Sequence, residues 1–229
     1  MSYTIALPKG SHIEQEVLEI LAKSGVKVIR EDPREIRCKV DGLGDVSHAI
    51  FCKREQVMQF LHGGSAIFGI MGKDTVLEEG SDHIEILGEF ASTQTRGVLF
   101  TRRDNPVSTW EEFRAQSNMR EGEFPPIIVS EYPRQTHAFF NTYGLWRRIV
   151  DCKSAETILC AEPQYLYGVA LVETGTTLAV NGLKEVVGAT IFESCVVLVG
   201  RKDAPPQLRS TMLGWVGAGG WVLPPGIAR

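Results

Sequence analysis

The sequence predicts an α/β protein of two lobes, and the chain's own patterning carries that prediction. Short apolar runs rich in Val and Ile alternate with amphipathic segments, the signature of βα units. Several of those runs end in small or polar residues just before a helix. The chain has 229 residues at 43% hydrophobic content, enough for one sizeable core or two smaller ones.

The first strand is "YTIAL". The helix after it shows Ile13, Val17, Leu18, Ile20 and Leu21 at helical spacing, with Ser11 as N-cap, Glu14 completing a capping box and Gly25 as terminator. "HAIFC", "EQVMQFLHGG" and "SAIFGIMG" continue the alternation, and "IEILGEFAS" closes the set. A second set follows: "GVLFTRR", a helix over "TWEEFRAQ", the polar break "SNMREGEFPP", the strand "IIVSEYP" and the helix "RQTHAFFNTYGL". The chain then runs through "IVDCKSAETILCAEP" and "YGVALVETG" to "TIFESCVVLVGRK" and "APPQLRSTMLGWVG", which are expected to return to the first lobe. Residues 1–94 are thus assigned to lobe I, 95–181 to lobe II and 182–215 to the return. The Gly- and Pro-rich end, 216–229, reads as a flexible tail.

Composition removes several functions. The formal net charge is −4 and the basic residues are scattered, so no nucleic-acid footprint is indicated. The five cysteines, Cys38, Cys52, Cys152, Cys160 and Cys195, are odd in number and never fall at C-x-x-C spacing, which suggests neither a disulfide framework nor a zinc site and fits a reducing cytoplasm. No export signal or membrane-length apolar run is visible. There is no G-x-S-x-G, H-E-x-x-H or Walker motif; His48, His62 and His83 read as structural or surface residues, while His12 and His137 stand nearer the strand-end motifs.

Four strand ends carry the chemistry. In "VETGTTLAVNGL" the apolar run closing at Val172 reads as a buried strand, and Leu178 onward reads as a helix closed near Gly188. Backbone N–H groups at that junction, Gly175 without a Cβ, and the hydroxyls of Thr174, Thr176 and Thr177 suit a phosphate, and Glu173 suits sugar hydroxyls or a bound Mg²⁺. An ordinary capped turn reads equally well there. "ALPKG" places Lys9 and Gly10 at a second strand end; "FGIMGKDTVLEE" places Gly72, Lys73 and Asp74 at a third, with Asp74 as N-cap. "SEYPRQTHAFF" places Glu131, Tyr132, Pro133 and Arg134 at a fourth, where ligands bind in open α/β sheets, with packing as the other role for Tyr132.

These four motifs, in this order, resemble the ATP phosphoribosyltransferase family in its short form. The resemblance implies two α/β lobes of the type II periplasmic-binding-protein fold with the ligand cleft between them. It implies transfer of the phosphoribosyl group of phosphoribosyl pyrophosphate (PRPP) to N1 of ATP, with release of pyrophosphate and with substrate-bound Mg²⁺. Glu173 to Leu178 would cradle the 5′-phosphate of PRPP; Lys9, Gly10, Gly72, Lys73, Asp74 and Glu131 to Arg134 would line the nucleotide side. A homo-oligomer and a regulatory subunit resembling histidyl-tRNA synthetase are implied partners. No catalytic acid or base is assigned, because displacement at an anomeric carbon rests on positioning and charge stabilisation. The chain departs from the family pattern at Ser11 and His12, at Gln56 to Met58, at Ile67, and at Leu166 and Ala170, where family acids or cations stand. Those losses leave open a relative with another acceptor, a non-catalytic nucleotide- or PRPP-binding regulatory subunit, and a solute-binding protein of the same architecture.

Overall fold

The computed structural model describes residues 2–117, 124–218 and 221–223. They fall into two compact units: Met1–Val76 with Gly80–Thr93 and Cys195–Arg229, and Leu77–Glu79 with Gln94–Ser194.

In the first unit, β1 (Tyr3–Pro8) lies between two parallel neighbours, β4 (Val46–Cys52) and β5 (Phe68–Gly72). β3 (Arg37–Asp41) runs antiparallel to β4, and β2 (Lys27–Ile29) antiparallel to β3. β10 (Leu183–Arg201) pairs antiparallel with β5 from Val196 to Gly200. Helices α1 (Ser11–Lys23), α2 (Arg54–His62) and α8 (Pro206–Ala218) cover this sheet. Ile5, Leu7, Val17, Leu21, Phe51, Leu198 and Met212 pack on one side of it, and Ala6, Val57, Met58, Leu61, Val197 and Val199 on the other. The alternation of Leu7 with Ala6 and of Leu198 with Val197 is the period-two signal of a strand covered on both faces.

The helix starts differ from those expected. Gly10, at φ 121°, is the N-cap of α1, and its N–H donates to Glu14 Oε2 at 2.9 Å. Glu14 therefore closes the helix start onto Gly10 instead of boxing with Ser11, because Ser11 is already the first helical residue. Gly72 is likewise the N-cap of α3 (Lys73–Glu79), and Asp74 sits in its first turn, buried.

In the second unit, β6 (Ile84–Arg102) pairs antiparallel with β9 (Tyr167–Val172), which pairs parallel with β7 (Ile127–Ser130), and β8 (Arg148–Asp151) extends the sheet in parallel. One face carries an aromatic core in which α4 (Trp110–Ser117) and α5 (Pro133–Thr142) bring Trp110, Phe113 and Phe140 onto Tyr167 and Phe192. The Phe113 and Tyr167 rings meet edge to face at 4.8 Å. Along the other face, Val98, Ala170 and Val172 pack under α6 (Ala155–Ala161) and α7 (Thr176–Val180).

The helix expected from Leu178 to Gly188 is only five residues long, Thr176–Val180. Gly182 at φ 68° turns the chain, and Leu183 opens the 19-residue strand β10. The apolar residues Val186, Val187 and Ala189 carry no helix because the long β6, also 19 residues, offers a sheet to extend. β10 belongs to the second unit up to Ser194 and to the first from Cys195. The pieces read separately as "IEILGEFAS" and "GVLFTRR" are one strand, β6. Of the tail, residues 216–218 continue α8, Trp221 is buried, and Val222 bridges to Glu89; residues 219, 220 and 224–229 lie outside the described residues, as does most of the polar break, residues 118–123.

Candidate functional site

In the second unit, β9 ends at Val172 and the chain bends through Glu173 and Thr174 to Gly175 at φ 76°, a left-handed residue that caps α7. A side chain there is strained, which explains glycine at this position. The amides of Thr176, Thr177 and Leu178 belong to the first helical turn and have no intrahelical acceptor. The Thr174 and Thr176 hydroxyls meet at 2.9 Å, both exposed, while Leu178 is buried and anchors the turn. Behind it, Asn181 Nδ2 donates to the Thr177 carbonyl at 2.9 Å.

Residues Leu171 to Leu178 and Glu156 line a cavity of about 140 Å³. That is several water volumes, but well short of the several hundred Å³ that a drug-sized ligand occupies. It suits one group of a larger ligand. A second, more open cavity of about 560 Å³ shares Glu156 and Thr177 with it and reaches Cys160 and Asn181.

Of the fourth strand-end motif, Glu131 accepts the Ala155 N–H at 3.0 Å, so its carboxylate caps α6 beside Glu156. Ser154 Oγ accepts from the Thr157 N–H at the same helix start. Tyr132 is packing: its ring is buried edge to face against Phe192, centroids 4.9 Å apart. Pro133 opens α5, where its missing N–H costs nothing. The amides of Arg134 and Gln135 donate to the two carboxylate oxygens of Glu78 at 2.7 and 3.0 Å, and the Arg134 guanidinium donates to the Glu79 carbonyl.

In the first unit, Lys9 and Gly72 stand at the C-terminal ends of the adjacent parallel strands β1 and β5. Lys9 is exposed and its Nζ donates to the Arg34 carbonyl at 3.2 Å; its amide donates to the Cys52 carbonyl. Gly10 is held through Glu14, which pairs with Arg30 at 2.5 Å, and the Arg30 guanidinium lies 4.0 Å over the Phe51 ring. Desolvation pushes the Glu14 carboxyl up, but the Gly10 amide and Arg30 outweigh it and hold it below the ordinary carboxylate value. Lys73 Nζ pairs with Glu89 at 2.8 Å, and Glu89 in turn accepts from the buried Cys195 thiol, whose pKa desolvation raises. At Gly72, an added Cβ would stand 2.2 Å from Asp74 Oδ1. The β5 end thus folds tightly over the first turn of α3.

Several positions where the chain departs from its resemblance are structurally quiet, whereas Leu166 is an exposed apolar side chain. Ala170 is buried among Val98, Ala155, Leu159 and Leu178; Val57 and Met58 are core; Gln56 Oε1 accepts the Lys53 amide to start α2; Ile67 packs on the core of the first unit. Three residues that sequence reading missed border the Glu173–Leu178 loop: Glu156, Arg96 and Glu185. Glu156 had a local signal, the acid in the first turn after Ser154. Arg96 and Glu185 had none, since 89 positions separate them.

The loop of Glu173 to Leu178, turned by glycine and lined by hydroxyls, stands at a strand's C-terminal end, the place where open α/β sheets take ligands. The family model described as HisG, ATP phosphoribosyltransferase, matches residues 53–213. An ATP phosphoribosyltransferase of Moorella thermoacetica is 29% identical over 202 residues, covering 87% of this chain and 83% of that one. Among solved structures, the ATP phosphoribosyl transferase (HisG:HisZ) complex from Thermotoga maritima superposes with a TM-score of 0.68 at 23% identity, over 95% of this chain and 96% of that one. A TctC solute-binding protein from Polaromonas gives 0.56 at 10% identity, over 95% and 83%. The two solved structures establish the fold, shared between the transferases and periplasmic-binding-protein-like chains. The chain belongs to the ATP phosphoribosyltransferase family.

Proposed function

We propose that the chain transfers the 5-phosphoribosyl group of PRPP to N1 of ATP and releases pyrophosphate, the first step of histidine biosynthesis. The observation that carries this reading is the cavity walled by Glu173 to Leu178 at the end of β9, sized for one phosphate group. Family membership supports this reaction.

In this reading the amides of Thr176, Thr177 and Leu178 and the hydroxyls of Thr174, Thr176 and Thr177 hold the 5′-phosphate, fixing the ribose so that C1 faces the acceptor. The adenine N1 lone pair forms the new bond to C1 as the bond to pyrophosphate breaks, and the N6 amino group gives up the balancing proton. Lys9 stands at a strand end as a cation for the nucleotide or pyrophosphate, with open space at the Gly10 Cβ position, whereas Lys73 would have to exchange its Glu89 partner for the ligand and the Cβ position of Gly72 is filled by the Asp74 carboxylate. Glu173, with Glu156 beside it, is the carboxylate positioned for ribose hydroxyls or for Mg²⁺. Among the described residues no group of three or more His, Cys, Asp or Glu could hold a metal, so the ion's remaining ligands would come from the substrate. Mg²⁺ would neutralise the departing pyrophosphate.

The Thermotoga maritima structure is of a HisG:HisZ complex, which supports a second, regulatory subunit and an oligomer for this chain too. Among the described residues no helix is long and apolar enough to cross a membrane. A cytoplasmic setting is part of the proposal. The test is turnover: purified chain with PRPP, ATP and Mg²⁺, with and without such a subunit, read by mass spectrometry. Phosphoribosyl-ATP and pyrophosphate support the reading; their absence in both arms overturns it.

A further inference from the structure

We propose that Arg96 is a positioning residue for the phosphate loop, acting by neutralising Glu185 directly behind Gly175. This rests on the functional reading above.

Arg96 pairs in register with Val172, the last strand residue before the loop. Its guanidinium donates Nη1 to Glu185 Oε2 at 3.1 Å and Nη2 to Oε1 at 3.2 Å, a two-pronged geometry that fixes both side chains. Side-chain exposures of 42% and 28% leave the pair partly shielded from water. The Glu185 carboxylate faces the loop: a Cβ on Gly175 would stand 3.3 Å from Oε1.

A carboxylate beside the Gly175 turn, next to the loop that must accept an anion, is an electrostatic liability. Like charges on the two sides of one turn repel in a partly shielded setting. Arg96 removes the liability by holding the negative charge in a hydrogen-bonded pair, and it fixes the carboxylate oxygen against which the Gly175 turn rests. Glu185 also explains why the turn keeps glycine here, beyond the φ value: a methyl group would press on a charged oxygen that Arg96 prevents from moving aside.

The consequence separates this role from plain stabilisation. Loss of Arg96 alone exposes the loop to a bare carboxylate, whereas loss of both charges does not. PRPP with Mg²⁺ is titrated calorimetrically into the wild-type chain and into Arg96→Ala, Arg96→Lys, Glu185→Gln and the double variant Arg96→Ala/Glu185→Gln, each with a thermal melt. Arg96→Ala is expected to weaken PRPP binding about tenfold, the size of one carboxylate left without its partner. Arg96→Lys should recover part of that loss, Glu185→Gln should tighten binding, and the double variant should bind more tightly than Arg96→Ala despite an equal or lower melting temperature. If Arg96→Ala binds PRPP as the wild type does, or if the double variant binds no better than Arg96→Ala, the inference fails. Wild-type protein that binds no PRPP overturns the functional reading, and the inference with it.

Discussion

The carboxylate of Glu131 accepts the amide of Ala155 at 3.0 Å, across 24 positions of sequence, and so ties the end of β7 to the start of α6. A residue whose place at a strand end suggests ligand contact is holding a helix start that borders the cavity of Leu171 to Leu178 through Glu156. Glu131→Ala should lower stability by about 1 kcal/mol, as loss of a helix cap does. A melting temperature lower by a few degrees is the check; an unchanged one would return Glu131 to the ligand alone.

Gly175→Ala tests the loop itself. The left-handed φ of 76° costs an alanine about 1 kcal/mol, and its methyl group meets Glu185 Oε1 at 3.3 Å. PRPP affinity should fall about tenfold or more, because the amides must shift to relieve the strain. Calorimetry against the same variant's melt separates the two effects.

Thiol reactivity follows burial. Cys52 and Cys152 have their pKa values pushed up to about 11, by desolvation first and, for Cys152, also by the charge of Glu131. Cys38 and Cys195 are raised for the same first reason. Cys160 is exposed, in the open cavity next to Thr177 and Asn181. Under native conditions at neutral pH a thiol reagent should label Cys160 well before the other four, as mass mapping of the labelled peptides would show.

Glu14 gives a pH dependence with a definite sign. Its folded pKa lies below the ordinary carboxylate value of about 4.3, so the folded state binds its proton less readily than the unfolded chain. The stability this contributes is complete above that value and is lost as pH falls through the lower folded value. Glu14→Gln should therefore flatten the decline in stability from about pH 5 downward, relative to the wild type. Urea melts across that range are the measurement, and parallel declines would show that Glu14 does not couple to folding.

The legible parts of this fold were local. The apolar spacing in α1, Pro133 at the start of α5 and the Thr-Gly-Thr turn after β9 each write their structure into a few consecutive residues. The misread parts depend on distant chain. Asn181 and Gly182 end α7 after five residues, yet what makes Leu183 onward a strand is the neighbouring β6, which no window around Gly182 contains. The same holds for the site: Gly175 announces itself, while the Glu185 carboxylate behind it and the Arg96 that holds it are known only once the sheet is assembled.

Trp221 carries the last prediction, because it stands in a segment whose Gly and Pro content argues for flexibility. Its side chain is buried, meets Phe90 edge to face at 5.4 Å and Trp215 at the same distance, and follows the Gly88 backbone so closely that a Cβ on Gly88 would stand 3.5 Å from Trp221 Cβ. Val222 then exchanges backbone hydrogen bonds with Glu89 at 2.7 and 2.8 Å. A single aromatic in a Gly-rich stretch has no periodicity to reveal it, but truncating one that fills a core costs about 3–5 kcal/mol. Trp221→Ala should thus destabilise the first unit as strongly as a core truncation. Trp221→Phe, which keeps a ring against Phe90 and Trp215, should restore most of the loss. Hydrogen exchange resolved by segment would place the effect, with faster exchange in α8 and the first half of β6 than in β7 and β9. Equal stability of Trp221→Ala and the wild type would show that the ring is not held there in solution.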